Sequence, residues 1–146
     1  MSVVDPETDQ GNHEYCYSLY PHSGDWRNGA TRAGFELNYP MTVVRTGAHK
    51  GTLPKDMSLV SSSRDGVFVE TVKLAEDSVR MVLRCYEGHN MRGRAELQLG
   101  MDIGDATEVN LLEEEEGPVG VDNANITFDV ALFQVRTFAV ETEHST

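Results

Sequence analysis

The sequence has little positive charge. Its 12 lysine and arginine residues stand against 24 aspartate and glutamate residues, which gives a formal net charge of −12 at pH 7. A protein that binds nucleic acid or an anionic membrane surface needs a clustered basic patch, and no such cluster occurs in the sequence. We therefore expect neither nucleic acid nor a membrane as a partner.

Long apolar runs and cysteines are scarce as well. No run is long enough to span a bilayer, and the N-terminus lacks the apolar core of a signal peptide, so we expect a cytoplasmic protein. Two cysteines, Cys16 and Cys85, are too few for a disulfide framework. Both fall in predicted strands, and we expect buried thiols, with a single bridge as the alternative.

Histidines are present, but they do not form the pattern of a metal site. Such a site needs three or more converging ligands, often with two histidines at a short fixed spacing, and the histidines here are scattered. The acidic run at residues 113–116 lacks the spaced ligands of a calcium loop, so we expect a solvated turn there. No pair of carboxylates is singled out for glycoside hydrolysis either. We therefore predict no metal ligand and no catalytic residue in this chain.

The strongest pattern that is present is a β-hairpin at residues 66–87. Two runs rich in valine, methionine and leucine flank the short polar connection at residues 75–78, which is typical of a hairpin. In the second run Met81, Leu83 and Cys85 alternate with Val82 and Arg84. This period of two predicts a strand with one face toward a core.

Glu70 occupies a position in the first run where an apolar side chain is expected, on the same face as Val72 and Leu74. If the hairpin places Leu74 opposite Arg80, then Glu70 lies opposite Arg84. A buried charge is tolerated only when it is paired, so we predict a partly buried Glu70–Arg84 ion pair. We expect this pair to fix the strand register rather than to take part in catalysis.

The rest of the chain predicts an all-β fold, an antiparallel β-sandwich with one short helix near residues 25–38. The helix follows from apolar residues at helical spacing, with Ser23 or Asp25 as its N-cap and Asn38 at its end. Short strands at even spacing favour a sandwich. Outside the hairpin they are predicted at residues 13–22, 41–46, 94–99, 106–112, 125–128 and 133–140, and residues 57–62 lead into the hairpin. The domain organisation is then a flexible lead-in at 1–12, the sandwich at 13–140 and a frayed tail at 141–146.

His22, Asp25 and Trp26 form the most suggestive local group. One interpretation is a substrate-binding rim, in which the indole faces a sugar ring and the other two side chains bind hydroxyl groups. The other is structural: Trp26 anchors the first helical turn in the core, His22 satisfies a turn, and Asp25 caps the helix. We favour the structural interpretation.

Several stretches resemble one known family, and they follow its order over nearly the whole chain. They are residues 9–15, 20–26, 35–40, 70–76, 82–87 and 133–138. The sequence resembles the C-terminal β-sandwich of glycoside hydrolase family 38, the α-mannosidases, and is most similar to their cytosolic, metal-activated branch.

The resemblance implies a noncatalytic C-terminal domain of an enzyme that hydrolyses terminal α-linked mannose. The family's catalytic barrel, with its divalent zinc or cobalt ion, has no counterpart in this chain. The sandwich would brace that N-terminal catalytic domain and line part of its cleft, and the full-length enzyme would bind mannose-containing glycans. The alternatives are a carbohydrate-binding module for mannosides, with Trp26, Tyr20 and Tyr39 as its aromatic platform, or a protein-interaction domain. Homo-oligomerisation is left open.

Overall fold

The computed structural model describes residues 10–142. The chain divides into two compact units that meet in the sequence between Thr46 and Gly47. In the described part, the first unit contains one α-helix, α1 (Ala30–Asn38), and the second contains all nine strands. We call them the N-terminal unit (residues 10–46) and the sandwich unit (residues 47–142).

The nine strands of the sandwich unit form two antiparallel sheets. One sheet has four strands in the order β1-β4-β8-β7, and the other has five in the order β2-β3-β9-β5-β6. The strands are β1 (Val60–Ser62), β2 (Val67–Leu74), β3 (Met81–Glu87), β4 (Gly93–Leu99), β5 (Ile103–Val109), β6 (Glu115–Pro118), β7 (Gly120–Asp122), β8 (Asn125–Val130) and β9 (Val135–Thr142). The predicted all-β sandwich with one short helix is confirmed.

The core lies between the two sheets, where alternate residues of the central strands point inward. Leu83 and Phe138 come from the larger sheet, and Leu97 and Ile126 come from the smaller one; all four are fully buried. The ring centroids of Phe128 and Phe138 lie 4.8 Å apart, which joins β8 to β9 across the core. Burial of these side chains is the main contribution to stability, because each fully buried large apolar side chain contributes about 1.5–3 kcal/mol.

A β-bulge in β2 makes the predicted register of the hairpin wrong. Thr71, rather than Glu70, lies opposite Arg84, and the pairing shifts between Val69 and Thr71. Glu70 is the extra residue and is exposed. A bulge resets the alternation of side chains along a strand, so Val69 before it packs against the core and Val72 after it again shares the face of the inward-pointing Leu83.

The N-terminal unit has fewer regular elements than predicted. Residues 13–22 and 41–46, both predicted as strands, lie in irregular backbone, so those predictions are wrong. Cys16 is consequently exposed rather than buried. Strand-like alternation needs a neighbouring strand to pair with, and none of the sheet pairings of residues 10–142 includes either segment.

Helix α1 is shorter than predicted. Its N-cap is Gly29, with φ 98°, rather than Ser23 or Asp25, since a turn at residues 25–28 precedes the helix. Its last residue is Asn38, as predicted, and the Asn38 side-chain amide donates a hydrogen bond of 2.8 Å to the Gly34 carbonyl oxygen. The positive φ of Gly29 favours glycine at this helix start.

Two further predictions concern the C-terminal third of the chain. The acidic run is not only a solvated turn, because Glu115 and Glu116 belong to the edge strand β6. The predicted tail begins too early, since β9 continues through Glu141 to Thr142. Most of the predicted lead-in, residues 1–9, and the last residues, 143–146, lie outside the described residues.

Candidate docking surface

An apolar groove lies where the β2–β3 hairpin extends beyond the covered core. Val72 and Leu74 share the face of Leu83, because they lie opposite Leu83 and Met81 in the hairpin register. Leu83 is fully buried, yet the exposed fraction rises to 42% at Val72 and 71% at Leu74. We call this surface the hairpin groove; its lining is Val72, Lys73, Leu74, Val79, Met81 and Thr142.

Apolar side chains on the core-facing side of a strand are normally covered, as Leu83 is, whereas Val72 and Leu74 are not. Val79, in the loop that joins the two strands, is also highly exposed. Together with Leu74 it extends the apolar surface around the hairpin end. The groove is therefore mainly apolar, with Lys73 and Thr142 as its polar lining residues.

Charged side chains hold the hairpin end in place beside the groove. Lys73 Nζ lies 2.7 Å from Glu113 Oε1 and 2.5 Å from Glu76 Oε1. The Glu76 backbone N–H donates a 2.8 Å hydrogen bond to Glu113 Oε2, and Arg80 Nη1 lies 3.0 Å from Glu115 Oε1. These contacts connect the end of β2 and the β2–β3 loop to the β5–β6 connection and the first residue of β6.

The same contacts shift two pKa values. Hydrogen bonds to Glu113 and then Glu76 raise the pKa of Lys73 above its ordinary value. The hydrogen bond from Lys73, followed by that from the Glu76 backbone, lowers the pKa of Glu113. Both shifts favour the charged forms, which are also the ordinary forms of these side chains at neutral pH.

The predicted Glu70–Arg84 pair is not among the ion pairs formed within residues 10–142. Glu70 Oε2 accepts a hydrogen bond of 3.0 Å from Thr71 Oγ1, and Arg84 Nε donates one of 3.2 Å to Thr137 Oγ1. Burial, together with the nearby Glu70 carboxylate, raises the pKa of Tyr86. The bulge separates the two predicted partners because it turns Glu70 out of the ladder.

Asp25 and Trp26 lie in the bend and turn that precede α1, and His22 lies in irregular backbone just before them. Asp25 accepts hydrogen bonds from Arg27, 2.9 Å from its backbone N–H and 2.7 Å from its guanidinium, so it organises the turn before α1 rather than capping the helix. Trp26 is 42% exposed, and the Arg27 guanidinium carbon lies 4.7 Å from its ring centroid. The indole is thus not in the core, which the structural interpretation required. The ring of His22 stacks on Tyr20 at 5.4 Å.

Glu87 is a buried carboxylate that the sequence did not single out. Its Oε1 accepts a 2.7 Å hydrogen bond from the His89 backbone N–H, and its Oε2 accepts one of 3.0 Å from Phe133. Burial by itself would raise the pKa of Glu87, but backbone hydrogen bonds from Phe133, His89, Met91 and Asn90 outweigh it and lower the pKa. Asn90 and Phe133 both have positive φ, 59° and 52°, so one carboxylate fixes two left-handed turns.

Glu108–Arg136 is a partly buried ion pair, with both side chains largely covered. Arg136 Nη1 also donates a 2.6 Å hydrogen bond to the Asp129 carbonyl oxygen in the smaller sheet. The sequence carried a signal for this pair, because period two in β9 places Arg136 on the same face as the buried Phe138. Beside it, burial raises the pKa of Cys85 to about 12; the Arg136 charge opposes that shift and the Glu108 charge adds to it.

The described residues contain no group of three or more histidine, cysteine, aspartate or glutamate side chains that could hold a metal ion. Both cysteines are free thiols. No helix in the described part of the chain is long and apolar enough to cross a bilayer.

The fold defines a two-sheet β-sandwich domain, and comparison with known proteins gives its family. Residues 66–138 match the family model described as "Glycosyl hydrolases family 38 C-terminal beta sandwich domain". The chain therefore belongs to this family, as the resemblance in its sequence implied.

Three relatives agree with the family match. The chain is 31% identical to Alpha-mannosidase 2C1 of Mus musculus over 140 residues, 91% of this chain and 13% of that protein. It is 34% identical to Alpha-mannosidase 2C1 of Homo sapiens over 120 residues, 80% of this chain and 11% of that protein. Alpha-mannosidase G of Dictyostelium discoideum is 28% identical over 139 residues, 92% of this chain and 13% of that protein. The chain thus spans about an eighth of the length of these relatives.

Proposed function

We propose that this chain serves as the noncatalytic C-terminal sandwich of an α-mannosidase, bracing a catalytic domain that hydrolyses terminal α-linked mannose. The family match over residues 66–138 carries the proposal. The hairpin groove supports it, because a brace needs an apolar contact surface and Val72, Leu74 and Val79 provide one. The zinc or cobalt ion would then belong to the catalytic domain, as would the main contacts to mannose-containing glycans.

We further propose a cytoplasmic location. Two free thiols, one of them exposed, suit a reducing compartment. The resemblance to the cytosolic branch points the same way.

One test of the brace uses the purified chain. We expect no hydrolysis of an aryl α-mannoside by the chain with zinc or cobalt added, because it would lack the catalytic domain. Turnover by a contamination-free sample would contradict the proposal.

A second test uses a chimera in which this chain replaces the matching stretch of the mouse Alpha-mannosidase 2C1. We expect this mouse chimera to fold and to hydrolyse the aryl α-mannoside. Leu74→Glu should lower its activity and melting temperature, because it places a charge in the hairpin groove. Leu111→Glu is the matched control, since Leu111 is similarly exposed (66%) but lies outside the groove. Equal effects of the two variants would show that the groove is not the contact.

A second candidate function is mannoside binding at His22, Asp25 and Trp26, and the exposure of the indole favours it. Trp26 is the one tryptophan of the chain, so its fluorescence reports on this group alone. Against it, the Arg27 guanidinium covers one face of the indole. Titration with methyl α-mannoside should leave the fluorescence unchanged if the chain is a brace. A saturable change that is lost in Asp25→Ala would favour the binding module.

A further inference from the structure

Two segments of the N-terminal unit carry a strand pattern without forming strands. In residues 14–19, Tyr15, Tyr17 and Leu19 alternate with Glu14, Cys16 and Ser18; residues 41–45 do not alternate, but three of the five, Thr42, Val43 and Val44, are β-branched. Aromatic and β-branched residues at period two are typical of β-strands. The structure nevertheless gives both segments irregular backbone.

These apolar side chains are almost fully exposed. The exposed fractions of Tyr15, Tyr17, Leu19, Met41, Val43 and Val44 lie between 78% and 95%. Single exposed apolar residues are ordinary, but two exposed apolar runs of high β-propensity, one of them with a strand period, are not. Each such side chain gains free energy when a partner covers it, so the pattern indicates a partner sheet.

The comparisons indicate where that partner lies. The match to the mouse relative covers 91% of this chain, which leaves out about 13 residues, so it necessarily includes residues 14–133. Both segments therefore belong to the shared region, although the family model begins only at residue 66. The same match covers only 13% of the mouse protein, so most of such an enzyme consists of other sequence that can supply strands.

We propose that residues 14–20 and 41–45 are β-strands of a sheet whose other strands belong to the part of an α-mannosidase that precedes this region. This inference rests on the proposed function. Strand addition satisfies backbone N–H and C=O groups through ladder hydrogen bonds and buries alternate side chains in the partner. The N-terminal unit then acts as an interlocking arm, a contact distinct from the hairpin groove.

Proline scanning in the mouse chimera tests the arm. Proline removes a ladder donor and is excluded from central strands. Because successive N–H groups of a strand point to opposite sides, Tyr17→Pro and Ser18→Pro together probe both edges, as do Val43→Pro and Val44→Pro. We expect at least one variant of each pair to lower the yield of active chimera by about tenfold or more. Lys50→Pro, in the exposed loop of the sandwich unit, is the matched control and should have no effect.

The isolated chain provides the second readout. The same proline variants should leave its melting temperature unchanged, because residues 14–20 and 41–45 form no strand there. Backbone amides of both segments should exchange freely in the isolated chain and become protected in the chimera. This pattern separates loss of the partner contact from misfolding of the sandwich.

The outcomes distinguish the two proposals. An inactive unsubstituted chimera would count against the proposed function itself. An active chimera that tolerates all four prolines would contradict the proposed strand pairing alone. So would an active chimera in which the backbone amides of both segments still exchange freely. If the isolated chain dimerises and Tyr17→Pro or Val43→Pro makes it monomeric, the partner is a second copy of this chain, and the inference as stated is wrong.

Discussion

Arg136 and Glu108 form a two-point ion pair, with Nε 2.5 Å from Oε1 and Nη2 2.6 Å from Oε2. Arg136 also bonds the Asp129 carbonyl oxygen and lies over the rings of Phe128 and Phe138, at 5.6 and 5.8 Å. Its side chain thereby joins β9 and β5 of the larger sheet to β8 of the smaller one.

Replacing one residue of this pair should lower the free energy of unfolding more than replacing both. We expect Glu108→Leu to lower the free energy of unfolding by about 2 kcal/mol, since it leaves a partly buried guanidinium without its carboxylate. Adding Arg136→Met should recover part of that loss, and urea unfolding measures the coupling. The more exposed pair Arg80–Glu115, a single contact of 3.0 Å, is the control, with coupling below about 0.5 kcal/mol. Additive effects at Glu108 and Arg136 would refute the prediction.

Glu87 should make stability depend on acid pH. Its pKa is lowered in the folded protein from an ordinary value of 4.5, so its stabilisation is complete above that value and is lost as the pH falls through the folded pKa. Glu87→Gln should therefore cost about 2 kcal/mol at pH 7, and the difference from the unsubstituted protein should shrink below pH 4.5. Urea unfolding of both proteins, from pH 7 to below pH 4.5, measures this difference in the free energy of unfolding.

Glu116→Gln is the control for that experiment, because Glu116 is exposed on β6. The two variants should differ clearly at neutral pH. If the free energy of unfolding of Glu87→Gln and of Glu116→Gln depends on acid pH in the same way, the turn hydrogen bonds do not stabilise the charged form of Glu87.

Glu70 should tolerate substitution. A partly buried Glu70–Arg84 pair would make Glu70→Ala cost a few kcal/mol, whereas the exposed bulge position predicts a change within about 0.5 kcal/mol. Chemical denaturation of the variant decides between them, with Glu87→Ala as the positive control for a buried carboxylate. A loss of several kcal/mol would mean that the two residues pair in solution after all.

The two thiols should react at very different rates. Cys16 is exposed, whereas burial raises the pKa of Cys85 to about 12, and the thiolate is the reactive form. Iodoacetamide at mildly alkaline pH should modify Cys16 alone in the folded protein, and both thiols after denaturation. Mass spectrometry identifies the sites; rapid native modification of Cys85 would contradict its burial.

Strand β3 and the turns around Glu87 show what the sequence predicts and what it does not. Period two at Met81, Leu83 and Cys85 was enough to place β3 and its inward face, because alternation is a local property. Glu87 follows the same alternation, but its four donors come from residues 89–91 and from Phe133. A local sequence pattern does not predict that one carboxylate will accept hydrogen bonds from two turns that are distant in the sequence.

The sequence by itself determined the sandwich class, the hairpin at residues 66–87 and the family, because apolar alternation and the family stretches are written along the chain. Tertiary structure alone decided that Glu70 bulges out, that Arg136 has Glu108 as its partner, and that residues 14–20 and 41–45 form no strand in the described part of the chain. Register, pairing and burial depend on what stands opposite a residue in space, and a linear pattern does not contain that information.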